Sequence, residues 1–216
     1  VATVASVFHI FKKMNFISYL NFLFVEKEFL SLDFLVLHLQ NRYLIPFLNM
    51  TIGQTFVAEL EEEAKATRKM LKLFLPTQAG WQPHEKSATL GALMHHVAEM
   101  PEWIVWTQKT DTLDFAVTPY ESRTFESADA LVAYFDAQVE AAKASLLQYE
   151  EAHFHQLWTM RNGEQVYFSL PRVVVLRSSC FNHWYHHRGQ LTVYLRLLGI
   201  PVPATYGPTA DFPDGM

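Results

Sequence analysis

A chain of 216 residues, 50% hydrophobic and only 18% charged, has the composition of a folded protein with a substantial core. Its formal charge of −5 without basic runs excludes nucleic acid as the main partner and offers no polybasic surface to anionic lipid. The single cysteine, Cys180, excludes an internal disulfide and any CxxC site, so nothing marks an oxidising compartment, and a cytoplasmic protein is expected.

Residues 1–49 differ from the rest. They hold 8 of the 17 phenylalanines, no glycine and one proline, Pro46. The charge-free run Met14–Val25 spans 12 residues, against the roughly 20 a membrane-spanning helix needs. No small-residue cleavage site follows it, so a signal peptide is a poor fit. The stretch reads as an atypical apolar extension ahead of a natural start at Met50; the alternative is an apolar helical hairpin packed on the domain. The domain itself is expected over 50–216.

The first helix is expected over about 52–74, on the stripe Val57, Leu60, Ala64, Leu71 and Phe74, closed by Pro76 and Gly80. The second follows Ser87 with the stripe Leu90, Leu93, Val97, Met100 and Ile104, and Pro101 should kink or break it near residue 100. A loop over about 109–126 leads to a third helix from Ser127 to about Tyr149. Asn162-Gly163, with both residues at positive φ, predicts a short exposed hairpin across 157–168. The fourth helix opens at Pro171 and ends at Gly199, and the last 15 residues read as an extended tail packed on the bundle. The fold class expected is all-α: a four-helix bundle with a long connection between the second and third helices.

The inward stripe of the fourth helix is Leu176, Cys180, His183, His187, Leu191, Tyr194 and Leu198. Histidines at i and i+4 project from one face. Two core-facing imidazoles are costly without partners, and a metal ion satisfies both together. A third ligand has to come from a facing helix. With the apolar stripe of the second helix centred between Leu93 and Val97, His96 can turn inward while His95 faces water and Glu99 points outward. His96, His183 and His187 would suit Zn²⁺, Ni²⁺ or Fe²⁺ and leave coordination positions open, as catalytic sites do. Cys180 is a less favoured fourth ligand, better read as a small buried thiol. His84, His153 and His155 read as surface or solvated residues, and His186 lies at the edge of the inward face. Gln190 and Tyr194, on adjoining faces, are the candidates to hydrogen-bond a ligand or to assist proton transfer; both also suit ordinary core-edge positions.

The segments "WQPHEKS", "TLGALMHHVAEMPEW" and "NHWYHHRGQLTVYLRLLGIPVPATYGPTAD" resemble the DinB-like (YfiT-related) bacterial family. The likeness runs from Met50 to Asp211 and covers none of residues 1–49. It implies a four-helix bundle with a long crossover, three histidine metal ligands aligned with His96, His183 and His187, and a homodimer. It also implies thiol-dependent S-transferases and isomerases, using bacillithiol, mycothiol or glutathione, as relatives. The function expected is therefore a metal-dependent enzyme acting on a small molecule, with a low-molecular-weight thiol as cofactor. Arg172 and Arg177 are the cations nearest in sequence for its carboxylates. The alternatives are a metal-dependent hydrolase, or a non-enzymatic metal-binding protein of stress response.

Overall fold

The computed structural model describes residues 50–215; the expectations for residues 1–49 lie outside them. Helix α1 (Ile52–Leu71) begins at a capping box, in which Thr51 accepts from the Gln54 amide and Gln54 reaches back to the Thr51 amide. It stops a little short of the expected end, and Phe74 stays buried in the turns that follow. Helix α2 (Leu90–Lys109) is capped by Thr89, two residues beyond the expected Ser87, and runs unbroken through Pro101. A proline costs a helix one hydrogen bond, and α2 is buried around so much of its circumference that packing holds it together. Helix α3 (Ala128–Gln148) is capped by Ser127, and a short turn of helix, α4 (Glu151–Phe154), follows.

The all-α expectation does not hold. Strands β1 (Thr112–Asp114), β2 (Leu157–Asn162) and β3 (Gln165–Pro171) form one mixed sheet in the order β1-β2-β3. The β2–β3 hairpin is the expected one, lengthened to Pro171, but β1 lies within the predicted loop and pairs parallel to β2. Three residues carry no alternating pattern; pairing to β2 alone makes them a strand. The turn is also displaced. Asn162 pairs with Gln165, so Gly163 and Glu164 form the loop, and among the described residues only glycines take positive φ, Gly163 at 60°. A register irregularity at Met160/Arg161 accounts for the shift. Nor is the hairpin wholly exposed. Trp158 packs with Leu113 and Val175 in a small satellite core that joins the sheet to α2.

After β3 one uninterrupted helical run comprises α5 (Arg172–Val175), a π-helical segment (Leu176–Asn182) and α6 (His183–Leu197). The π segment changes the phase of the buried stripe. Leu176 and Cys180 are buried as expected, but beyond them the buried positions are Phe181, Trp184, Arg188, Leu191 and Leu195. His183 and His187 are thereby turned from the core centre to its edge, where both are half-buried. The main core is contributed by α1, α2, α3 and the α6 run. The tail packs back through Val202 and Ala204, held by Asp211, which accepts from Arg196 and from the Val202 amide.

Candidate metal centre

The Nε2 atoms of His96, His183 and His187 lie within 4.8 Å of one another. His183 Nε2 is 3.5 Å from that of His96 and 2.7 Å from that of His187. Nitrogens on one tetrahedral zinc stand roughly 3.3 Å apart, so the observed spacings bracket that value.

The opposite nitrogens explain why these rings face one another. His96 Nδ1 donates to Glu99 Oε1 at 2.5 Å, and His187 Nδ1 donates to Gln190 Oε1 at 2.8 Å. The His183 ring turns its Nε2 to the other two histidines. On His96 and His187 the Nδ1–H is thus taken by an acceptor, leaving the lone pair on Nε2. Converging lone pairs repel unless a cation lies among them. Burial favours the neutral form of two of the rings as well: it lowers the pKa of His183, and it pushes that of His187 down to about 4, opposed by the Gln190 bond. Neutral imidazole is the form that binds a metal. The donor set therefore fits a divalent cation, with carboxylate and amide partners of the kind that orient histidine ligands.

Two residues read as outward-facing from the sequence are buried: His95 is 1% exposed and Glu99 5%. The rotation argument assumed that α2 buries one stripe. It is instead covered on a second side by the crossover between α2 and α3, which seats Ser122 and Arg123 on His95 and Tyr120 on Glu99. Burial lowers the His95 pKa. Glu99 has only His95 and His96 as ion-pair partners among the described residues, with no lysine or arginine. The spacing His-x-x-Glu was the available signal for its role, since i and i+3 are neighbours on a helix.

A cavity of about 650 Å³ opens beside the histidines. His96, His187 and Gln190 form its polar side, and Trp103, Phe115 and Leu93 part of its apolar wall. Tyr194 lines it too, but donates its hydroxyl to the Ala88 carbonyl at 3.1 Å. The remaining sequence candidates lie elsewhere. Buried Arg172 donates to the carbonyls of Thr107, Leu157 and Thr110 and to Asp111. Arg177 is engaged by Glu59 at 2.6 and 2.7 Å. Neither faces the cavity. Cys180 is buried against Thr107, its thiol pushed up to about 12 by burial, and stands outside the cluster. His84 and His155 are exposed, whereas His153 is half-buried, stacked on Tyr149 and bonded to the Gln108 carbonyl.

A helical bundle carrying a three-histidine cluster and an adjoining open cavity defines the class: a scaffold with a candidate metal centre at one edge of its core. The chain belongs to the DinB family, whose model matches residues 48–214. A DinB-like protein from Bacillus cereus superposes with a TM-score of 0.52 at 20% identity, covering 70% of this chain and 95% of that one. Another, from Bacillus subtilis, has a TM-score of 0.52 at 17% identity, with 67% and 92% covered. At these identities the likeness is one of fold. A mycothiol-dependent maleylpyruvate isomerase resembles the chain at a TM-score of 0.40 and 13% identity, too weakly for its chemistry to transfer. Curated proteins gave no match. Among the described residues no helix is long and apolar enough to cross a membrane.

Proposed function

We propose that this protein is a metal-dependent enzyme that binds a divalent cation, zinc, nickel or iron, through His96, His183 and His187 and transfers a thiol sulfur to a small electrophile. The observation that carries the reading is the convergence of three histidine nitrogens, two of the rings fixed by an acceptor on Nδ1, beside an open cavity. A divalent cation in such a site supplies a lowered pKa to a bound thiol, so that thiolate is available at neutral pH. The chain's residues do the positioning. Gln190 holds the His187 ring and Glu99 the His96 ring. Trp103 and Phe115 give the cavity an apolar wall that receives an organic body, and the exposed Lys86 is the cation along its lining. The preference for a thiol over water as nucleophile draws on what the family resemblance implies and on this apolar wall.

Elemental analysis of the purified protein tests the metal, and a cobalt-substituted spectrum recorded against a panel of thiols tests the nucleophile. One equivalent of metal, with ligand-field bands that move on adding a thiol, is the expected result. His183→Ala should lower metal affinity by at least about 100-fold, beyond what the loss of an outer partner costs, and keep the far-ultraviolet circular dichroism. Bands indifferent to every thiol but responsive to ester hydrolysis would replace transfer by hydrolysis. Metal without either response would leave a binding protein.

A further inference from the structure

Glu99 holds its ligand partner with one oxygen, and that oxygen is shared. Oε1 accepts from His96 Nδ1 at 2.5 Å and from the Tyr120 hydroxyl at 2.9 Å. Oε2 faces His95 Nε2 at 3.4 Å. Tyr120 belongs to the crossover between α2 and α3, as do Ser122 and Arg123, whose hydroxyl and amide each lie 3.3 Å from His95 Nδ1. The crossover therefore bonds this carboxylate directly through Tyr120 and packs on its neighbour His95. A carboxylate rotates about a broad terminal torsion, and one hydrogen bond leaves its plane loosely set. The Tyr120 hydroxyl supplies a second bond to the same oxygen and holds it toward His96.

We infer that Tyr120 is a positioning residue for His96, acting through Glu99, so that the crossover between α2 and α3 is a working part of the metal centre. The inference rests on the metal reading above. Linkage makes the effect reciprocal: a cation that fixes His96 also tightens the crossover's hold on Glu99. Phe115, Tyr120 and Ser122 of the same segment line the cavity, so its wall is set by the same bonds. A matched bond provides the control. On the same helix Glu102 accepts from the Tyr134 hydroxyl of α3, also at 2.9 Å, and Glu102 has no bond to any of the three histidines.

The test compares the full chain with its Tyr120→Phe, Glu99→Gln and Tyr134→Phe variants. It measures zinc affinity by competition with a chromophoric chelator, the ligand-field bands of the cobalt forms, and tryptic cleavage at Arg123 with and without zinc. Glu99→Gln should weaken zinc by about 10–100-fold, as the loss of a charged outer partner does. Tyr120→Phe should weaken it by less, up to about 10-fold, alter the cobalt bands and abolish zinc protection of Arg123. Tyr134→Phe should match the unmodified chain in all three measurements. Unchanged affinity and bands in Tyr120→Phe overturn the inference, and so does an equal loss in Tyr134→Phe, which would mark a general loosening of the bundle. An unmodified chain that binds no zinc, nickel or iron would instead overturn the metal reading on which the inference rests.

Discussion

Glu59 shows how a single residue ties the helical run of the metal ligands to the rest of the bundle. It accepts two bonds from Arg177 and one from the Tyr185 hydroxyl, joining α1 to the π segment and to α6. The Arg177 bond, opposed by partial burial, holds its carboxyl below the ordinary 4.5. A carboxyl with a depressed folded-state pKa contributes stability that is complete above its unfolded value and is lost as pH falls through the folded one. Glu59→Gln is therefore expected to destabilise by about 0.5–1 kcal/mol at pH 7, a figure held down by solvent screening. Urea unfolding should show that gap closing below pH 4.5; a gap that persists at pH 3 would assign it to packing instead of charge. At the same scale His183 and His187 were legible because i and i+4 on one helix must share a face. His95 and Glu99 were not, because their environment comes from a crossover 20 or more residues further along the chain.

Helix packing turns on small residues and on phase. Gly53 of α1 lies against α3 so closely that an added Cβ would stand 2.2 Å from the Leu146 carbonyl oxygen. Gly53→Ala gains about 1 kcal/mol of helix propensity, yet should lose about 1–3 kcal/mol net through overpacking against backbone. The denaturant midpoint measures it, and an unchanged or higher midpoint would mean that α1 and α3 can part at no cost. The π segment is the other decisive element. By shifting the buried stripe from His183 and His187 to Trp184 and Arg188, it leaves the imidazoles at the edge of the core, with His187 lining the cavity. The hydrophobic spacing of the sequence locates the helix, but a local change of winding is invisible to a fixed period. The strand β1 escaped for a related reason: its pairing partner lies more than 40 residues away.

For the molecule as a whole, the apolar core and the histidine cluster are separable. The core packs without the three histidines, so a metal adds to a fold that already exists. Zinc at 100 times its dissociation constant is expected to stabilise by about 2.7 kcal/mol, or about 5–10 °C in Tm. Removing it with a chelator should reverse that shift and leave the helical dichroism in place. Loss of the helical signal on chelation would instead put the metal among the supports of the fold.

The main helices, the β2–β3 hairpin and the three histidines were legible from the chain alone. These depend on residue spacing within a single element, and spacing is written along the chain. The mixed sheet, the winding that turns His183 and His187 to the edge of the core, and the burial of His95 and Glu99 beneath the crossover were settled only in three dimensions. Each of these follows from segments distant in sequence competing for the same space and the same hydrogen-bonding groups, which no local periodicity records.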